Sequence, residues 1–211
     1  MADLTALHKA IIDGDLKGAV AATQEALDGQ VDPLELVARH MVPAMDEVGR
    51  RFECEEYFVP ELLLSARAMK GSLALIRPLL VSRGAEPAGR VVIGTVKGDL
   101  HDIGKNLVAS LLEGGGFEVI DLGADVAPEK FVEAVQQRGA NIVCLSALLT
   151  VTMPSMKTTI EALKGAGVRE RIKVLIGGAP VTQQYADEIG ADGYGQNATA
   201  AVQLARKLVA Q

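Results

Sequence analysis

The chain has 211 residues, of which 49% are hydrophobic and 23% charged, with a formal net charge of −6. That length accommodates one large domain or two small ones with real cores, and the composition excludes a disordered, collagen-like or disulfide-framework protein. Only 3% of the residues are aromatic and none is Trp, so a core built of Ala, Leu, Val and Ile is either very helical or leaves space for something that is not protein.

Acidic residues outnumber basic ones on both sides of Arg90, which argues against a nucleic-acid partner. No apolar run reaches the roughly 18 residues of a membrane span, and the start MADLTALHKAIIDGD lacks the charged-then-apolar order of a signal peptide. The expectation is a cytoplasmic protein with no membrane partner. Cys54 and Cys144 read as isolated thiols.

From Asp3 to about Ser82 the apolar spacing is helical and punctuation divides it into four pieces. Asp15 can cap a helix reaching about Leu27, and Asp32 followed by Pro33 opens one that runs to about Arg51. The longest piece begins near Val59 and Pro60. These helices predict a small antiparallel four-helix bundle, and the Gly- and Pro-containing stretch Arg83 to Arg90 reads as a linker. The domain expectation is therefore 1–88 and 89–211.

Beyond the linker, short β-branched runs alternate with helical patterns. Strands are predicted at Val91 to Thr95, Glu118 to Asp121, Ile142 to Ser146, Lys173 to Gly177 and, weakly, Asp192 to Tyr194. Helices are predicted at about Lys105 to Glu113, Pro128 to Arg138, Pro154 to Gly165, Thr182 to Ile189 and Ala198 to Val209. Strict alternation implies an α/β flavodoxin-like (Rossmann-like) five-stranded parallel sheet of order 2-1-3-4-5. In that order the switch point lies between the first and third strands, so a ligand is expected over the loops Val96 to Gly104 and Ala147 to Met153.

The first of these loops reads VKGDLHDIGKN. Gly98 and Gly104 enclose five residues and Lys105 is followed by Asn106, so a Walker A phosphate loop fails twice. A GxGxxG dinucleotide fingerprint is absent, and Ser146 stands where a receiver domain needs an acidic phosphoacceptor. What remains is His101, two residues after Asp99, on a loop at the ligand-binding edge. Neutral imidazole is a common ligand of transition metals, and a carboxylate on its other nitrogen fixes the tautomer. With no second His and no Cys nearby, a zinc site of protein ligands alone is disfavoured, whereas one histidine suffices if the metal arrives inside a macrocycle. The spacing also allows a loop histidine that caps the next helix.

The run Asp99-Leu100-His101-Asp102-Ile103-Gly104, then Ser146-Ala147-Leu148 and Gly177-Gly178, resembles the cobalamin-binding signature DxHxxG…SxL…GG. The similarity covers Arg90 to Gln211, and the preceding bundle resembles the helical cap of methionine synthase and of the small corrinoid proteins of methylamine and methanol metabolism. One departure is Gly195-Gln196-Asn197, where that family has Ala/Pro-Asp.

The resemblance implies a bound cobalamin or related corrinoid, carried as methylcob(III)alamin and cob(I)alamin, in the base-off/His-on state with His101 as the cobalt's axial ligand. It also implies a relay from the imidazole through Asp99 and Ser146. Gly98, Leu100, Asp102, Ile103, Gly104, Leu148, Thr150, Gly177 and Gly178 would contact the cofactor. Small residues at strand ends, Gly94 and Thr95 among them, would leave a slot for the nucleotide tail, although paired glycines also read as a plain turn. Phe58, Leu62, Ser65 and Met69 would cover the upper corrin face, although such a stripe also reads as simple core; the linker would serve as the hinge.

The implied function is a methyl carrier, a non-autonomous corrinoid subunit with no general acid, base or nucleophile of its own beyond cobalt. Its implied partners are a substrate-specific methyltransferase, an acceptor-side methyltransferase using a thiol or tetrahydrofolate, and a reductive activase. Alternatives are a cobalamin-dependent sensor or regulatory module and an adenosylcobalamin isomerase subunit.

Overall fold

The computed structural model describes residues 4–82 and 87–210. Residues 83–86 of the expected hinge lie outside the described residues. The chain forms two compact units, one from the helices up to Pro87 together with Glu113–Gly116, the other from Ala88–Leu112 and Phe117 onward.

The helical unit contains α1 (Leu4–Ile12), α2 (Leu16–Asp28), α3 (Pro33–Leu36), α4 (Val42–Glu53) and α5 (Val59–Ser82). Asp15 caps α2 by accepting the Gly18 N–H, and Asp32 caps α3 by accepting from Leu34 and Glu35, with Pro33 at the helix start where its missing N–H costs nothing. The sequence pattern predicts one helix from Asp32 to Arg51. The structure interrupts it with a π-helical turn, Val37–Met41, in which the Val42 N–H reaches back to the Val37 carbonyl. Pro43 follows immediately; it has no N–H and its ring crowds the preceding turn, so a wider turn fits where an α-helical one strains. Glu61 accepts the Phe58 N–H at 2.9 Å and so starts α5. Leu7, Ile11, Leu36, Val48, Leu62, Met69 and Ile76 are among this unit's fully buried side chains.

The second unit alternates β1 (Arg90–Thr95), α6 (Ile103–Gly114), β2 (Glu118–Asp121), α7 (Pro128–Arg138), β3 (Ile142–Ser146), α8 (Pro154–Gly165), β4 (Lys173–Gly177), α9 (Gln183–Ile189), β5 (Gly193–Gly195) and α10 (Ala198–Val209). The strands are parallel in the order 2-1-3-4-5, as the sequence pattern predicts. β1, β3 and β4 are buried along nearly their whole length, which is why they read as continuous Val/Ile/Leu runs rather than alternating ones.

Phe131 is fully buried among aliphatic side chains, with Val92, Val143, Leu145, Ile160, Val174 and Ile176 in the same cluster, and Phe117 is a second fully buried ring. A Cβ on Gly94 would lie 2.8 Å from the Phe131 ring. The volume left by Gly94 is therefore filled by protein, and this glycine does not open a slot for a ligand.

The two thiols lie in opposite environments: Cys54 is exposed and Cys144, on β3, is buried, and burial pushes the Cys144 thiol up to about 12. Iodoacetamide at pH 8 is expected to modify Cys54 alone in the folded protein and both thiols in urea; mass spectrometry of tryptic peptides reads the difference, and native labelling of Cys144 would contradict the packing.

Candidate functional site

β1 and β3 are neighbours with Thr95 paired to Ser146, so the loops leaving them emerge side by side at the topological switch point. One side chain ties them together. Asp99 is fully buried; its Oδ1 accepts the His101 backbone N–H at 3.0 Å and faces His101 Nδ1 at 2.8 Å. Its Oδ2 accepts the backbone N–H groups of Leu148 at 2.8 Å and Leu149 at 3.4 Å and the Thr152 hydroxyl at 2.7 Å. Three donors from the second loop thus converge on one carboxylate from the first.

Burial acts to raise the Asp99 pKa, but hydrogen bonds from Thr152, His101 and Leu148 outweigh it and hold the carboxyl well below the usual carboxylate range. An ionised carboxylate has no proton to give, so the contact to His101 requires the proton on Nδ1. In the neutral ring the lone pair then sits on Nε2, in a side chain that is half exposed. Thr95 completes the anchoring by donating its hydroxyl to the His101 carbonyl at 3.0 Å.

The two loops and the start of α6 expose several apolar side chains. Leu100, Ile103 and Val151 are exposed by 76%, 86% and 80%, and Leu148 and Leu149 by about two-fifths. Five exposed aliphatic residues on two loops joined by a buried carboxylate make a binding surface rather than scattered surface hydrophobics. A Cβ on Gly104 would meet no protein atom within 4 Å, so the first turn of α6 is bare beside the histidine. A lone histidine donor on loops that also expose apolar side chains fits a metal that brings its own planar ligand set. Among the described residues no group of three or more His, Cys, Asp or Glu side chains is arranged to hold a metal ion.

The expected site residues fall into three groups. Gly98, Asp99, Leu100, His101, Asp102, Ile103 and Gly104 occupy one continuous turn leading into α6, with Leu148 and Thr150 exposed on the facing loop. Ser146 belongs to the sheet ladder, its carbonyl accepting the Val96 N–H, and its hydroxyl is not among the donors to Asp99. The hydroxyl that does donate to Asp99 is that of Thr152, six residues further along the chain. Gly178 has φ +135 and a Cβ there would collide with the Ala147 carbonyl, so backbone packing requires it, while one on Gly177 would lie 3.2 Å from the Gly195 carbonyl, a tight approach.

Of the expected cap residues, Leu62, Ser65 and Met69 have almost no exposed surface and the Ser65 hydroxyl donates to the Ile12 carbonyl. Phe58, 63% exposed, alone offers surface to a ligand. Asn197 caps α10 by accepting the Ala200 N–H at 2.7 Å, the role an aspartate would fill. Sequence reasoning missed Lys105, a buried lysine in the first turn of α6 whose ammonium pairs with Asp121 at the end of β2; a lysine in so apolar a run was the available signal.

A family model described as a B12 binding domain matches residues 89–203, and a second, also described as a B12 binding domain, matches residues 4–77. The chain belongs to the family of B12-binding corrinoid proteins. A corrinoid protein of Desulfitobacterium hafniense is 43% identical over 99% of this chain and 98% of its own length. The trimethylamine corrinoid protein 1 of Methanosarcina acetivorans is 44% identical over 95% of this chain and 94% of its own.

Among solved structures, a chain of the methanol:cobalamin methyltransferase complex of Methanosarcina barkeri superimposes with TM-score 0.85 and 31% identity, covering 98% of this chain and 79% of that one. A cobalamin-binding protein of Desulfitobacterium hafniense superimposes with TM-score 0.82 and 33% identity over 98% of both chains. The cofactor of this corrinoid protein is cobalamin or a close relative. No helix among the described residues is long and apolar enough to cross a membrane.

Asp99→Asn replaces an acceptor-only group by one that turns an N–H toward the Leu148 and Thr152 donors, and is expected to cost about 2–4 kcal/mol of stability near neutral pH. Because the folded-state pKa lies below the unfolded value of about 3.9, the ionised carboxylate's contribution is complete above about pH 5 and fades as the pH falls below it. Urea unfolding at several pH values is expected to show the gap between wild type and variant narrowing toward acid; a gap independent of pH would contradict the charged network.

Proposed function

We propose that this corrinoid protein is a methyl carrier in a methyltransferase system of the methylamine or methanol kind. The observation that carries the reading is the fixed tautomer of His101, with Nδ1–H held by Asp99 and the lone pair left on Nε2 of a half-exposed side chain. Bound cobalamin supplies the nucleophilic cobalt that accepts and releases the methyl group.

The protein's own part is to bind, orient and shield. His101 holds a proton at Nδ1 and would offer Nε2 to the cofactor's metal in place of the cofactor's own base. Asp99 fixes the tautomer and orientation of that ring, as a carboxylate accepting one imidazole N–H does for a metal-ligating histidine. The Thr152 hydroxyl and the Leu148 N–H keep Asp99 ionised, so the shared proton stays on Nδ1. Leu100, Ile103, Leu148 and Val151 would offer a bound cofactor apolar surface.

The names of the relatives support a substrate-specific methyltransferase as donor-side partner. An acceptor-side methyltransferase and a reductive activase complete the proposed system. No nucleophile or acid–base pair beyond the Asp99–His101 couple is assigned, so turnover is proposed to require these partners.

Saturating cobalamin is expected to stabilise the protein by mass action, by about 2.7 kcal/mol at a concentration of 100 Kd and so by roughly 5–10 °C in melting temperature. Equal melting curves with and without hydroxocobalamin would contradict the reading. The carrier role is tested by loading the protein with hydroxocobalamin, reducing it with titanium(III) citrate and adding a methylamine with the methyltransferase encoded beside its gene. The expected result is conversion to the methylated visible spectrum. Failure of methylation by that enzyme, together with photolytic activity of an adenosyl form, would favour a sensor.

A further inference from the structure

The loop that presents His101 is held from below by the β2–α7 connection, and the grip is concentrated on one residue. Asp125 has φ +53, a left-handed conformation that costs a non-glycine residue energy. In that conformation both its backbone and its side chain reach the histidine loop. The Asp125 N–H donates to the Asp99 carbonyl at 2.9 Å, and its carboxylate accepts the Gly98 N–H at 2.8 Å with the Lys97 ammonium at 3.5 Å. The connection is itself seated on the sheet, since the Thr95 N–H donates to Gly123 and the Val126 N–H to Thr95.

Gly98 has φ +86 and immediately precedes the buried carboxylate. Glycine is the most permissive residue in the turn, so its peptide is where the Asp99 backbone would be free to swing. The two bonds from Asp125 close that freedom at both ends of the Gly98–Asp99 pair.

We infer that Asp125 is a positioning residue for the cobalt-binding imidazole, its carboxylate and N–H clamping Gly98 and Asp99 so that Asp99 holds His101 at one orientation. The inference rests on the reading of His101 as axial ligand. Nothing in the DxHxxG pattern points to it, because Asp125 lies on a different connection.

Two substitutions separate the clamp from backbone strain. Asp125→Gly removes the acceptor while relaxing the left-handed backbone, so loss in this variant comes from the missing carboxylate. Asp125→Asn keeps an acceptor oxygen and tolerates the left-handed conformation. The full-length proteins, with His101→Ala as control, are titrated with hydroxocobalamin and reduced to the cob(II)alamin state, and the fraction with axial nitrogen splitting is read by electron paramagnetic resonance. Hydrogen exchange of the Gly98 amide is read in the cofactor-free proteins.

Asp125→Gly is expected to bind about tenfold more weakly, the lower end of the range for groups that orient metal ligands, with a reduced axial-nitrogen fraction and faster Gly98 exchange. Asp125→Asn is expected to stay within about twofold of wild type on the same scale. Wild-type ligation and exchange in Asp125→Gly would overturn the inference, as would equal loss in Asp125→Asn, which would assign the effect to charge. Identical axial signals from wild type and His101→Ala would instead remove the histidine-ligand reading on which the inference stands.

Discussion

The carboxylate of Asp99 is the constraint on which the site depends. It is buried, ionised and saturated with donors from two loops that are far apart in sequence, and a buried charge is tolerable only when its lone pairs are met in this way. The same bonds that satisfy it determine which nitrogen of His101 carries the proton and how the ring is turned. Desolvation, loop closure and ligand orientation are therefore one arrangement, and removing any donor from Asp99 weakens all three.

That arrangement is available only because of the sheet order. β1 and β3 lie side by side in parallel register, with Thr95 opposite Ser146, so chain segments some fifty residues apart leave the sheet within hydrogen-bond reach. The strands that carry them are buried on both faces by aliphatic side chains, with Phe131 seated against Gly94. A closely packed base of this kind transmits little displacement to the loops, which lets a half-exposed histidine keep a fixed orientation. The scarcity of aromatic residues thus reflects, in part, a core of small and branched side chains in which the buried rings of Phe131 and Phe117 lie against glycines.

The fold was legible because its signals are local. Buried parallel strands appear as β-branched runs, and Asp15, Asp32 and the proline at position 33 mark helix starts that the structure reproduces. The Asp99–His101 pair was legible for the same reason, two residues on one turn. The features that sequence reasoning missed are set by tertiary proximity. Thr152 replaces Ser146 beside Asp99 because a strand-end residue stays in the ladder while the loop folds back over the carboxylate. Gly94 and Gly178 look like cavity-forming glycines, yet one accommodates Phe131 and the other the Ala147 carbonyl. Asp125 reaches the site from a third connection and carries no motif, and the π-helical turn before Pro43 leaves the apolar spacing nearly unchanged.

The central claim is that Nε2 of His101 is the nitrogen on cobalt. Protein labelled with 15N in its histidine imidazoles, loaded with unlabelled cobalamin and reduced to the cob(II)alamin state, tests it by electron paramagnetic resonance. The account predicts that the axial superhyperfine pattern changes from the triplet of 14N to the doublet of 15N. A triplet unchanged by labelling would place the cofactor's own base on the metal and contradict the role assigned to Asp99 and His101.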